Sequence, residues 1–123
     1  MWGDGLQTRS FLFVDECVEA TYRLVQSDFT GPVNIGSEEM VSINQLVDIA
    51  AKVADKEVEK NHIDGPLGVR GRNSNNDLIR EKLDWDYTMT LEEGIKKTYD
   101  WINEEQLGNI KVEVEQNVSI FTR

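Results

Sequence analysis

Between Gly3 and Asp15 this chain changes physical character three times without a spacer, and that compression limits what the rest can fold into. Gly3-Asp4-Gly5 reads as a tight turn, because glycine accepts positive φ and the Asp side chain can hydrogen-bond its own backbone. Gln7, Thr8 and Arg9 follow, placing an amide, a hydroxyl and a forked guanidinium side by side. The apolar run Phe11 to Val14 then predicts a short buried strand. Asp15 is placed to cap a helix, since its carboxylate can accept the free N–H groups of a first turn. Val14, Cys17, Val18, Thr21, Tyr22 and Val25 recur at helical spacing on one face of it. Turn, extended run and helix start thus follow at once.

Composition sets the limits. At 123 residues with 39% apolar, one domain can bury about two thirds of its unfolded surface, enough for a real core. A formal charge of −10 excludes a broad nucleic-acid or anionic-membrane surface, since either needs a basic stripe. Any anion site must therefore be local. Cys17 stands alone on the apolar helix face, which predicts a buried thiol, excludes a disulfide within the chain and fits a reducing compartment. Neither a leader segment nor a membrane span is predicted, so a cytoplasmic location is expected.

Further along, Thr30-Gly31-Pro32 turns the chain into Val33-Asn34-Ile35, a short extended run closed by Gly36. Ser42 and Gln45 then form a capping box with Val41 and Leu46 at the staple positions, and Ile43, Leu46, Val47, Ala50 and Val53 share a helical face. Residues Glu57 to Ile63 read as another extended run with a thin apolar face. His62, without Cys or acidic neighbours at ligand spacing, is assigned no metal.

A glycine-rich loop, Asp64 to Asn73, carries Arg70 and Arg72. Gly65, Gly68 and Gly71 mimic a dinucleotide fingerprint, but such a fingerprint follows a hydrophobic strand and opens directly into a helix. Here Pro66 interrupts the loop, and the next helix, with Leu78, Ile79 and Leu83, waits for a cap at Asn75 or Asn76. What remains is flexible backbone presenting guanidinium groups beside a helix N-terminus, which suits a phosphate as well as it suits a solvated turn.

Trp85 and Tyr87 supply bulk before a last helix begun by the capping box Thr90 and Glu93. Leu91, Ile95, Tyr99 and Ile102 form its apolar face, with Glu92–Lys96 and Glu93–Lys97 as favourable four-apart pairs. Gly94 inside this helix costs roughly 1 kcal/mol against Ala, which predicts a backbone or an aromatic ring close by. Gly108 is a helix stop, and Ile110, Val112 and Val114 alternate as a one-faced strand, with Val118 to Phe121 as a weaker extended run.

Read together, these stretches resemble the C-terminal part of the GDP-mannose 3,5-epimerases, extended short-chain dehydrogenases/reductases of the NAD-dependent epimerase/dehydratase family. The resemblance rests on Trp2 to Phe11, Val14 to Val18, Pro32 to Ser37, and Gly65-Pro66 with Gly68 to Ser74, and it covers roughly Trp2 to Asn103. The Trp85 region is similar to the wider family's Leu-Gly-Trp element, with Asp84 in place of Gly. The resemblance implies an α/β fold, the C-terminal substrate-binding lobe of the enzyme, with about four helices and short strands and without the N-terminal Rossmann half. Residues 1–56 would finish the dinucleotide-fold half as strand-helix-strand-helix, 57–105 would be substrate-lobe loop and helices, and 106–123 an extended tail.

By that resemblance Gln7, Thr8 and Arg9 contact a nucleotide sugar, Arg72 pairs with its diphosphate, and Arg70 and Gly71 support the phosphate loop. The full-length family enzyme holds NAD and oxidises the sugar at C4 before inverting neighbouring centres with a Cys and a Lys. No Tyr-x-x-x-Lys pair and no N-terminal glycine fingerprint stand in this sequence, and Cys17 does not match the catalytic Cys. The expectation is therefore a nucleotide-sugar-binding portion, GDP-mannose-like in ligand, inactive and without bound cofactor when alone. It would form a homodimer or pair with a Rossmann half. The alternatives are a free-standing interaction module that keeps the fold, or part of another nucleotide-sugar epimerase or dehydratase.

Overall fold

The computed structural model describes residues 1–66 and 68–106; the expected helix stop at Gly108 and the extended runs over 110–114 and 118–121 lie outside them. Strand β1 (Thr8–Ser10) is central, with β2 (Met40–Ser42) antiparallel on one side and β3 (Gly71–Arg72) parallel on the other. Around this sheet run α1 (Val14–Gln26), α2 (Ile43–Val53), α3 (Asp77–Leu83) and α4 (Leu91–Trp101), the last continued by a π-helical turn over Ile102–Gln106. This is the expected α/β arrangement of four helices with short strands.

The opening turn forms as read. Gly3 and Gly5 have φ of 71° and 67°, and the Leu6 amide donates to Asp4 Oδ1 at 2.9 Å. Gly5 is needed twice over, since a Cβ there would lie 2.3 Å from Asn44 Oδ1.

The first strand is displaced from its predicted place. It is Thr8–Ser10 rather than Phe11 to Val14, because β2 and β3 offer ladder partners only to residues 8 to 10. Beyond Ser10 the chain leaves the sheet, and Phe11, Leu12 and Phe13 line a hollow against α4 instead. Helix α1 begins at Val14 with Phe13 in the cap position and no side-chain cap. Asp15 therefore does not cap; with Glu16 it sits in the first turn, where a carboxylate favours the helix dipole.

The predicted inner face of α1 is its outer one. Val14, Val18, Tyr22 and Val25 are 62%, 62%, 64% and 73% exposed, and Cys17 is exposed rather than buried. Ala20 and Glu16 are the buried residues of this helix. Periodicity identifies an apolar face but not what covers it, and here the small Ala20 lets α1 approach Ile79 and Trp85 to make the core. Glu16 is tolerated inside because its Oε1 accepts from the Thr88 amide (2.6 Å), the Thr88 hydroxyl (3.0 Å) and the Met89 amide (3.0 Å).

Leu12, Val33, Ile35, Leu83 and Tyr87 pack around that core. Among the described residues Val33-Asn34-Ile35 pairs with no strand, and Val33 and Ile35 contribute packing against the core. Of the run Glu57 to Ile63 only one parallel bridge forms, between Trp2 and Ile63.

Both capping boxes are present. Ser42 Oγ accepts from the Gln45 amide at 3.1 Å while the Ser42 amide donates to Gln45 Oε1 at 2.8 Å. Thr90 and Glu93 reproduce the exchange at α4, with Glu39 Oε2 accepting the Leu91 amide at 2.8 Å as well. The predicted pairs along α4 are replaced by others: Glu92 reaches Lys52 on α2 at 2.7 Å, Lys96 pairs with Asp100 at 2.8 Å, and Lys97 sits 5.4 Å over the Phe13 ring. The ring predicted beside Gly94 is that same Phe13. At the end of α3, Asp84 adopts the left-handed conformation (φ 47°, ψ 44°) and its amide donates to Arg80 O. No helix of the described residues is long and apolar enough to cross a membrane.

Candidate anion-binding cleft

Pairing of β1 with β3 sets Arg9 opposite Arg72 in parallel register, so the two guanidinium-bearing positions fall on the same side of the sheet. Gly71 eases this approach, because a Cβ there would lie 3.0 Å from Thr8 Oγ1 and the Thr8 side chain would have to give way slightly. Both arginines line a cleft of about 310 Å³ whose other walls are Ser10, Leu12, the segment Asn34 to Ser37, Asn73 and Ser74. Glycine and short polar side chains dominate it, leaving room beside the cations.

Among the described residues neither Arg9 nor Arg72 joins an ion pair, whereas Arg23, Arg70 and Arg80 each have a carboxylate. Arg9 Nη1 donates to its neighbour's carbonyl, Thr8 O, at 2.6 Å, which fixes the side chain without neutralising it. A forked cation can meet two oxygens of one phosphate, which makes this pair of guanidiniums a candidate anion site. The lining supplies hydroxyls and guanidiniums and no group that exchanges a proton near neutrality.

The other residues singled out in the sequence divide. Gln7, Thr8, Arg70 and Gly71 lie outside the cleft lining. Thr8 and Gly71 are register partners beside it, and Gln7 Nε2 donates to Trp2 O at 3.5 Å, with its Oε1 buried and without a partner among the described residues. Arg70 is committed to Asp4 at 3.0 Å; the Leu6 amide and then Arg70 hold the Asp4 carboxyl below its usual range. Arg70 thus anchors the opening turn and does not line the cleft. His62 Nδ1 lies 2.7 Å from Gly3 O and belongs to the same N-terminal turn.

Sequence reasoning missed Ser10, Asn34, Ser37, Asn73 and Ser74 as cleft residues. Periodicity carries no signal for them, although Asn34 to Ser37 and Asn73-Ser74 fall inside the stretches that carried the family resemblance. A second hollow of about 560 Å³, lined by Phe11, Phe13, Leu46, Leu91, Ile95 and Tyr99 among others, is apolar and offers a charged ligand nothing. No group of three or more metal-ligating side chains occurs among the described residues.

A family model described as GDP-mannose 4,6 dehydratase matches residues 1–98. The chain belongs to that family. It is 57% identical over 120 residues to GDP-mannose 3,5-epimerase 1 of Oryza sativa subsp. japonica, covering 98% of this chain and 31% of the relative. Its fold matches UDP-glucose 4-epimerase of Thermotoga maritima, crystallised with UDP-glucose, with a TM-score of 0.80 and 27% identity over 85% of this chain and 34% of that one. UDP-glucuronic acid 4-epimerase from Bacillus cereus, in complex with UDP-glucuronic acid and NAD, matches with a TM-score of 0.76 and 26% identity, again over 85% and 34%. The chain thus spans about a third of the length of the relatives it matches.

NAD, bound in that bacillary epimerase, finds no cradle among the described residues of this family member. Gly68 has open space around it, Gly71 serves the β1–β3 pairing, and four residues, Asn73 to Asn76, separate β3 from α3. A dinucleotide cradle needs the strand, the glycine turn and the helix in immediate succession.

Proposed function

We propose that this chain is the nucleotide-sugar-binding portion of an NAD-dependent nucleotide-sugar epimerase, with a GDP-mannose-like ligand whose diphosphate lies between Arg9 and Arg72. The observation that carries this reading is the register pairing of these two arginines in one cleft, each without a carboxylate partner among the described residues. Gln7 and Thr8, at the start of β1 just outside the cleft lining, meet the sugar nucleotide, and Gly71 eases the approach of the strands. In this reading residues 1–56 complete a dinucleotide-binding half, 57–105 form the substrate lobe, and NAD with the proton-transfer groups is held by a part of the protein outside this chain. The epimerase activity is drawn from relatives of which this chain covers about a third.

Calorimetric titration of the chain with GDP-mannose, and with GDP, tests the site. A hydrogen bond to a charged group contributes about 1.5–3 kcal/mol, so Arg72→Ala is expected to weaken binding at least about tenfold. Arg72→Lys recovers only part, because an ammonium lacks the planar two-point geometry. Unchanged affinity in Arg72→Ala removes the site. The exposed apolar stripe of α1 favours a second reading, a module that binds a protein partner through that face; a chain with no measurable affinity for either nucleotide would favour it.

A further inference from the structure

Behind the cleft lies a polar network that neither arginine of the site joins. Its hub is Asn76, fully buried at 0% exposure. The Asn76 side chain donates through Nδ2 to Gly36 O at 2.7 Å and accepts the Ser74 hydroxyl at 2.7 Å, and its amide donates to Glu38 Oε1 at 2.9 Å. Gly36 and Ser74 belong to opposite walls of the cleft. A Cβ on Gly36 would lie 2.6 Å from the Ser74 Cβ, so the two walls already touch at this point.

Arg80 on α3 repeats the link one layer out. Its guanidinium donates to Glu38 Oε2 at 2.6 Å and, through Nε, to Asp86 Oδ2 at 2.7 Å. Glu38 follows the first wall directly in sequence, and Asp86 follows the core residue Trp85. A single planar cation thus ties one cleft wall to the packed centre of the domain. An arrangement this connected fixes backbone rather than binding solvent, since each member is held by at least one other.

We propose that Asn76 and Arg80 are positioning residues that hold the Asn34–Ser37 and Arg72–Ser74 walls at the separation a two-phosphate anion requires. The inference rests on the anion reading of the Arg9–Arg72 cleft and adds which residues set its preference for a diphosphate over a single phosphate. Neither Asn76 nor Arg80 lines the cleft, so both act through the walls. A ligand spanning both walls depends on their separation; one seated on a single guanidinium does not.

The chain is titrated with inorganic pyrophosphate and, separately, with orthophosphate, following amide chemical shifts by NMR. Arg80→Lys keeps the charge but cannot hold Glu38 and Asp86 in the same plane, and pyrophosphate affinity is expected to fall about tenfold with orthophosphate within about twofold. Glu38→Gln keeps an acceptor for the Asn76 amide while removing the ion pair, and should shift the ratio the same way if Arg80→Lys does not fold. Lys82→Gln on the same helix, paired among the described residues only with Glu81, is expected to change neither. Loss of both affinities by one common factor would show general destabilisation and overturn the positioning role, as would an unchanged ratio. Arg72→Ala separates the two ideas: if it leaves pyrophosphate binding intact, the anion site itself fails; if it abolishes binding while Arg80→Lys does nothing, only the positioning role fails.

Discussion

The Glu16 carboxylate on α1 accepts the Thr88 amide at 2.6 Å across 72 positions of chain, and joins the first helix to the segment that launches the last one. Its Oε1 also accepts the Thr88 hydroxyl and the Met89 amide, while Oε2 is buried with no partner among the described residues. Removing the acceptor strands these donors inside. Glu16→Ala is therefore expected to cost about 2–3 kcal/mol in urea unfolding. Glu16→Gln should cost clearly less, because one oxygen still accepts; equal losses in the two variants would refute the account.

Asp84 closes α3 at φ 47°, a conformation in which any residue with a Cβ is strained and glycine is not. Arg23 donates to the Asp84 carbonyl, not to its side chain, so that contact survives replacement. Asp84→Gly is expected to raise stability by about 0.5–1 kcal/mol. Differential scanning calorimetry would register it as a higher midpoint, and a lower one would show that the Asp carboxylate makes a contribution of its own.

The two glycines and the Asx bond of the opening turn, both capping boxes and the ring beside Gly94 were legible in the sequence because each is settled within a few residues. What was not legible depends on distant partners. Phe11 to Phe13 has a strand's composition, yet β2 and β3 end where it begins. Val18 and Tyr22 have a core stripe's spacing, yet the small Ala20 is what lets α1 reach Trp85. Lys96 and Lys97 sit four residues from acids, yet Asp100 and the Phe13 ring hold them instead. Within the site, Arg9 and Arg72 were named from residue type and family resemblance; that Arg70 is taken by Asp4 required the folded turn.

Gly94 lines the apolar hollow with a virtual Cβ 3.4 Å from Phe13 Cβ and 3.5 Å from its Cδ2. These are ordinary contact distances, so the ring is close without forbidding a methyl group. Relief of the glycine penalty in a helix interior should then dominate, and Gly94→Ala is expected to stabilise by about 0.5–1 kcal/mol. Chemical denaturation decides it. A loss of stability would mean that Phe13 cannot give way.

Hydrogen bonding to Arg80 holds both Glu38 and Asp86 below the usual carboxylate range. A carboxylate whose folded value is depressed adds stability that is fully present above its unfolded value, about 4 to 4.5, and is lost as the pH falls through that value toward the folded one. Glu38→Gln removes one such group. The difference in melting temperature between wild type and Glu38→Gln is therefore expected to be largest near neutrality and to shrink as the pH approaches about 3. A difference that stays constant from neutral to acid would show that the pair contributes through shape rather than charge.

Val14, Val18, Tyr22 and Val25 present an apolar stripe along the outside of α1, between 62% and 73% exposed. Surface of this kind on a helix face is buried by association whenever a matching surface is available, and a second copy of the chain carries one by symmetry. A formal charge of −10 per chain opposes the approach, and added salt shortens the range of that repulsion to about 10 Å at 0.1 M and less above it. The chain is thus expected to self-associate more strongly as ionic strength rises, the reverse of an interface held by ion pairs. Replacing Val18 and Val25 with Lys reduces the net negative charge by two and so lowers the repulsion, yet should abolish association because the apolar contact is lost. Both side chains are exposed, so folding stability should stay within about 0.5 kcal/mol of wild type. Light scattering behind a sizing column at two salt concentrations reads the outcome: a wild-type chain that stays monomeric at high micromolar concentration in both would show that this face is not an interface between copies.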